Sequence, residues 1–252
     1  MIYLDPKNDL IFKRIFGENP DILISFLNAL MPFEEDRVIE QIEYLPAELV
    51  PETPMSKNSI VDVRCKDNKG IQFIVEMQMY WTPSFMSRVL FNASKAYVRQ
   101  TEPNFQYKNL QPVYTLSLIN DIFREDTDEF YHHYKIVDIL NTNKRIKGLE
   151  FIFIELPKFK PQNFTEKKMI ALWLRFLTEI KDQTEFVSPD FNSSKETKKA
   201  VKILEITSYT KRQLAAYDKY WDNISTEMSV MSEQKELAKI EGREEGREEG
   251  LK

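Results

Sequence analysis

Histidine, cysteine and glycine are scarce in this chain, and each scarcity argues against a class of chemistry. Two histidines occur in 252 residues, the adjacent His132 and His133. Neighbours in sequence lack metal-ligand spacing, which argues against His-rich zinc or iron sites and against a Ser–His–Asp triad. The single cysteine, Cys65, makes no internal disulfide and no cysteine-built zinc site, which fits a reducing cytoplasm. Six glycines form neither GxxxxGK(S/T) nor a GxGxxG after a strand, so no nucleotide cofactor is expected. Apolar runs such as Ile71–Val75, with Gln72 inside it, are too short to cross a bilayer. Met1 to Asp9 lacks the basic and apolar regions of a secretion signal, so no membrane association is expected.

What remains abundant is carboxylate. Carboxylates without histidines suit a hard, oxygen-seeking cation such as Mg²⁺ or Mn²⁺. The net charge of −5 is unevenly spread. From Lys158 to Lys219 there are 13 basic and 8 acidic residues, whereas from Glu227 onward there are 8 acidic and 5 basic. A phosphate-facing surface is permitted in the middle of the chain, and the tail is acidic.

Asp5-Pro6 predicts a helix start, with Gly17 ending the helix; Asn19-Pro20 predicts a second, with Leu23, Phe26, Leu27 and Leu30 on its buried stripe. A strand is expected over Val38–Leu45, then a Pro-marked loop, then a hairpin of Ser59–Cys65 and Ile71–Met79. Ser84–Arg99 reads as a helix, and Val113–Ile119 and Glu150–Leu156 as strands. From Thr165 the pattern is helical, through Ile170–Leu177 and Lys195–Tyr217 to the end. The organisation expected is a mixed α/β core over residues 1–160, a helical part over 161–225 packing on it, and a charged tail over 226–252. In that tail the Glu-Gly repeat of period four predicts a partly helical, exposed appendage, because each glycine costs about 1 kcal/mol of helix propensity.

The hairpin carries the clearest chemical signal. Asn68-Lys69-Gly70 fits a three-residue loop closed by a left-handed glycine, with Asp67 and Ile71 closing the ladder. That register puts Asp62 across from Glu76, and Gln78 shares the face of Glu76 by the period-two alternation. Opposed residues have Cβ atoms about 5 Å apart, close enough for two carboxylates to share one cation. Among Val61, Val63, Ile74 and Val75, two like charges would repel, and a divalent ion relieves the conflict. A solvated polar stripe on an amphipathic hairpin is the other reading of the same residues.

The segment Ile60-Val-Asp-Val-Arg to Ile74-Val-Glu-Met-Gln78 resembles the core motif of PD-(D/E)XK nucleases, in the branch of recombination-promoting nucleases also labelled transposases. Asn8–Gly17 looks like the family's first helix, Ser87–Tyr97 and Leu110–Ile119 like its next helix and strand, and Phe151–Phe159 like a further recurring block. The Glu-Gly tail is also typical. The resemblance implies a restriction-endonuclease-like core: a helix, a three-stranded antiparallel meander, a helix and further strands in a mixed sheet, with a helical C-terminal extension. It also implies a metal-dependent DNA endonuclease leaving a 5′-phosphate and linked to recombination or mobile elements. Asp62 and Glu76 would hold the metal, with the Met77 carbonyl as a further ligand. Gln78 stands where the motif has lysine, and Val61 where it has proline. A neutral amide orients and donates hydrogen bonds but supplies no charge. A DNA-binding or interaction module of the same fold, weak or inactive in catalysis, is therefore the alternative.

Asp9 and Lys13, four apart on the first helix, either point into the cleft or form a surface ion pair. Arg88 and Tyr97 are candidate DNA contacts, and Lys195, Lys198, Lys199 and Lys202 a candidate basic face. Trp81, Trp173 and Trp221 read as packing residues. Homo-oligomerisation is left open.

Overall fold

A computed structural model describes residues 2–33, 37–49, 59–101, 106–161 and 168–249. Its order is α1 (Asp9–Gly17), α2 (Pro20–Leu30), β1 (Ile42–Tyr44), β2 (Glu48–Leu49), β3 (Ser59–Ile60), β4 (Val63–Asp67), β5 (Gln72–Gln78), α3 (Phe85–Val98), β6 (Val113–Ile119), β7 (Tyr131–Asp138), β8 (Asn141–Glu155), α4 (Lys168–Glu179), α5 (Lys195–Ile203) and α6 (Lys211–Glu249). By internal contacts the chain divides into two compact units, Met1–Ser208 and Tyr209–Lys252.

A six-stranded mixed sheet in the order β1-β4-β5-β6-β8-β7 organises the first unit. β1, β4 and β5 pair antiparallel, and β6 lies parallel to both β5 and β8. The hairpin register is the expected one: Val63 pairs Val75 and Lys66 pairs Gln72. Gly70 closes the turn at φ +80°, and a Cβ there would approach Gln111 Cγ to 3.2 Å. Glycine is therefore required at this turn by conformation, and a larger residue would also crowd Gln111.

The central strands are buried on both faces, which is why Ile71–Val75 and Leu116–Ile119 read as near-continuous apolar runs. One face takes α3, whose Val89, Ala93 and Ala96 pack with Ile74, Val113, Ile119 and Phe153. The opposite face takes α1 and α2: Gly17 lies against Val63, and the Tyr131 hydroxyl donates to the Leu30 carbonyl at 2.9 Å. Beyond α2 sit α4 and α5. There Phe16, Phe26, Trp173 and Phe176 form a buried aromatic cluster, Phe26 and Trp173 meeting edge-on at 5.5 Å. Fully burying a side chain of this size contributes roughly 2–3 kcal/mol.

Several expectations are corrected. Asp5 caps no helix; it is buried and binds Lys7 through the backbone N–H and through Nζ. The helix starts at Asp9, capped by Asn8, whose Oδ1 accepts from Leu10 N at 3.1 Å. β7 was not expected, and β8 begins at Asn141 rather than at residue 150. Both strands run through polar, charged sequence that carries little alternation. The small β2–β3 sheet is also new. The helix expected over Lys195–Tyr217 is broken: α5 ends at Ile203 and α6 begins at Lys211. α6 is one helix of 39 residues in the second unit, and it extends through the Glu-Gly repeat to Glu249.

Candidate active site

β4 and β5 part company just where the acidic residues stand. Along β5, Gln72 N bonds Pro112 O and the Gln78 carbonyl accepts from Asn120 N, so the even-numbered backbone groups face β6. Phe73 and Val75 therefore present theirs to β4, and Met77 is the next in that row. The register would give Met77 a partner at Val61, but the Val61 amide donates to Ala47 O instead, at 3.1 Å. The chain has left the main ladder for the β2–β3 sheet. Asp62 sits in the resulting gap, and its Oδ2 accepts the Met77 amide hydrogen at 2.7 Å. The expected facing pair, Asp62 opposite Glu76, is thus outside the ladder, while the two acids stay near enough for Asp62 to raise Glu76 electrostatically.

Glu76 projects toward α3, where Asn92 Nδ2 donates to its Oε1 at 3.2 Å. It is 8% exposed, and Oε2 is buried with no hydrogen-bond partner among the described residues. Burial, and then the charge of Asp62, push its carboxyl up to about 7; Arg88 and Asn92 pull in the other direction. Burial likewise pushes Asp62 up to about 6, against the Met77 hydrogen bond and Lys13. Burial and their mutual charge thus disfavour two neighbouring anions here, a conflict that a bound cation would relieve by displacing the protons.

The remaining candidates separate clearly. Lys13 bonds Asp9 at 2.7 Å and reaches to 3.7 Å from Asp62 Oδ1. The two alternatives for this pair therefore coexist: an i,i+4 ion pair that also borders the acids. Gln78 donates from Nε2 to Tyr80 O at 2.9 Å, and its Oε1 accepts from Arg88 at 2.7 Å. Arg88 also lies over the Phe85 ring, 4.9 Å from its centroid. Tyr97 is not brought to this cluster; it packs on the apolar cluster of Leu49, Ile74, Ala96 and Val113. Trp173 is fully buried as a packing residue, and Trp81 stacks on Phe123 at 4.4 Å. Lys199 pairs with Asp21 at 2.7 Å.

Sequence reading missed Asn92. The signal was available, because Asn92 lies four residues after Arg88 on a helix and so shares its face. It also missed the support beneath the site. Glu155, fully buried at the end of β8, accepts from Phe123 N, Arg124 N, His132 Nε2 and Lys158 Nζ. Lys158 also donates to Thr127 O at 2.8 Å and to Arg124 O. This cluster ties down residues 123–132 at the same end of the sheet as Glu76, and Asp121 joins in by accepting from Trp81 N at 2.8 Å.

Among the described residues no three acids, histidines or cysteines converge to hold a metal. The donors on offer are oxygens: the neighbouring Asp62 and Glu76 carboxylates and the Met77 carbonyl, which faces the Asp62 side of β5 with its own N–H. An all-oxygen set with an unpartnered buried carboxylate oxygen fits a hard divalent cation. No helix among the described residues is long and apolar enough to cross a membrane.

No match was found among curated proteins or solved structures. A family model does match: residues 6–233 fit that of the PD-(D/E)XK nuclease family transposases. That span holds the parted hairpin, both acids and the helix facing them, and the chain belongs to this family.

Proposed function

We propose that this protein is a divalent-metal-dependent DNA endonuclease, acting in recombination or on mobile elements. One observation carries the reading: Asp62 and Glu76, both reluctant to ionise, converge where β4 leaves β5, with Glu76 Oε2 unpartnered. Asp62 Oδ1, Glu76 Oε2 and the Met77 carbonyl would hold Mg²⁺ or Mn²⁺. When bound, such an ion lowers the pKa of a water and offsets charge at the scissile phosphate. Asp62 holds its orientation through the Met77 amide, and Asn92 fixes the Glu76 rotamer. Lys13 and Arg88 border the acids from α1 and α3 and would meet the phosphate backbone. Gln78 holds Arg88 in place. Cleavage would leave a 5′-phosphate.

One observation favours the catalytically weak module. Position 78 carries no charge, and its amide oxygen is already taken by Arg88. Plasmid nicking with Mg²⁺ separates the two, using wild type, Asp62→Ala and Glu76→Ala. Nicking by wild type alone is expected. Equal nicking by all three sinks the catalytic assignment, and DNA binding without nicking by any of them favours the module.

A further inference from the structure

The β7–β8 hairpin outruns the sheet that supports it. β8 starts at Asn141 but pairs with β6 only from Leu149. Its first half and the end of β7 therefore form a two-stranded ribbon. Pairing jumps from Lys135–Glu150 to Ile136–Ile146 at the ribbon's base, a bulge of the kind that re-aims a strand. Gly148 lies in this bulge, where a Cβ would meet the Tyr97 hydroxyl at 3.5 Å. The ribbon leaves from the β6 end that starts at Val113, paired with Gln72 of β5. Glu76 lies four residues further along β5, roughly 13 Å from Gln72 and away from the ribbon.

The tip of the ribbon is apolar without a folding reason. Ile139 and Leu140 occupy the turn and are 90% and 96% exposed; Ile146, at the base, is 71% exposed. Tight hairpin turns favour Asn, Asp and Gly, and large aliphatic groups held out in water mark a contact surface. The flanking charge indicates the kind of partner. From Lys135 to Lys147 there are four basic residues and one acid, Asp138, in a chain of net charge −5. Asp138 Oδ1 is engaged in the turn, accepting from Leu140 N at 2.9 Å. At the base, Lys135, Arg145 and Lys147 meet Arg37 around a cavity of about 200 Å³ that also includes Glu150. Arg37 is paired with Asp67, and Glu150 engages His133 at 2.7 Å and Lys135 at 3.7 Å, so the four cations still outnumber the two acids that balance them. The volume is below that of ordinary small-molecule pockets and is suited to a group the size of a phosphate.

We propose that this ribbon is a second nucleic-acid contact, remote from the acid pair. Its cationic base takes backbone phosphates, and Ile139 and Leu140 press as a wedge against a base step of the duplex. The proposal needs nucleic acid as ligand but not catalysis by Asp62 and Glu76, so its test runs without metal. Binding of the full-length chain to a fluorescein-labelled duplex in EDTA is followed by anisotropy across a salt series. Lys144→Glu/Arg145→Glu/Lys147→Glu is expected to weaken binding about tenfold or more and to reduce the salt slope by about 2–3. Ile139→Ser/Leu140→Ser is expected to weaken binding several-fold with the salt slope unchanged, and to abolish a wild-type rise in 2-aminopurine fluorescence. Lys144→Gln/Lys147→Gln gives the same reading, with a smaller slope change, if the triple reversal does not fold. Wild-type affinity and slope in the charge variants overturn the proposal. So does sedimentation showing that Ile139→Ser/Leu140→Ser splits a dimer while DNA binding is unchanged, which would make the ribbon a self-association surface.

Discussion

Asp62 supplies Met77 with the hydrogen-bond acceptor that its neighbouring strand withholds: carboxylate Oδ2 stands 2.7 Å from the Met77 amide nitrogen, while Val61 is bound to Ala47. The residue is therefore a pin between strands as well as a candidate ligand. Asp62→Ala should lose activity and stability together, the latter by about 1–3 kcal/mol for a buried N–H left without an acceptor. Asp62→Asn retains an oxygen acceptor and should lose nicking with most of the stability kept. Thermal melts alongside nicking rates check this, and equal destabilisation by the two substitutions would count against the pin.

Glu76 should make the protein less stable as pH rises. Its folded pKa, about 7, lies above the ordinary 4.5, so the folded state holds the proton more tightly than the unfolded chain. The contribution is fully present below about 4.5 and is lost as pH climbs toward 7. Asp62 acts in the same sense between 3.8 and about 6. Glu76→Gln should therefore raise stability at pH 8 by on the order of 2 kcal/mol and flatten the pH dependence of Tm. Mg²⁺ should raise the Tm of wild type at pH 8 and leave that of Glu76→Gln nearly unmoved.

Glu155 should have the opposite sign. Burial opposes its ionisation, but the hydrogen bonds from Lys158 and His132 outweigh that and hold the carboxyl below 4.5. Its contribution is present above that value and is lost on acidification. Glu155→Gln should cost about 3 kcal/mol, because it removes the charge that pairs with Lys158 and leaves that ammonium only carbonyl partners. Amide exchange over residues 123–127 should quicken, and unchanged protection there would contradict the clamp.

Arg88 should set the acidic limb of any activity profile. It favours the ionised form of both Asp62 and Glu76, so Arg88→Ala should move that limb to higher pH and lower the nicking rate. Gln78→Lys should not improve on wild type, because the new ammonium would stand beside the Arg88 guanidinium in place of an acceptor 2.7 Å away. Gln78→Lys/Arg88→Ala removes that repulsion and should recover part of the loss. A gain of activity in Gln78→Lys alone would contradict the coupling.

Asn92 offers a constructive test. Asn92→Asp replaces the amide donor to Glu76 with a third carboxylate, which raises Glu76 further when no metal is present. Tighter Mn²⁺ binding is expected by titration calorimetry, with lower stability in EDTA. Weaker binding would show that Asn92 does not face the cation.

How much of this was legible in the sequence depends on whether the determining contact was local. Gly70 at φ +80° and the pairing of Val63 with Val75 followed from turn chemistry within a few residues. The apolar stripes that gave α2 and α3 are equally local. The bond from Val61 to Ala47 is not. It reaches across residues 50–58, outside the described residues, and no period marks it, so the expected facing of Asp62 and Glu76 was read as an unbroken ladder. β7 escaped because the adjacent His132 and His133 break any apolar alternation and are satisfied by Glu155 and Glu150, partners about twenty residues away. Tyr97 was chosen for its place beside Arg88 on one helix, yet two more turns carry it over Ala96 and Gly148 instead.

The parting at Val61 means that the two acids are held differently: Glu76 lies within the main ladder, and Asp62 joins it through its side chain alone. Asp62 stands between the main sheet and the small β2–β3 pair, in which, among the described residues, Glu48 pairs with Ile60 and Leu49 with Ser59. The placing of Asp62 beside Glu76 therefore draws on two bonds, one from Val61 to Ala47 and one from Met77 to Asp62 itself. Under the metal-site proposal, changes in the β2–β3 pair would alter the preference between a smaller and a larger cation while leaving both carboxylates in place.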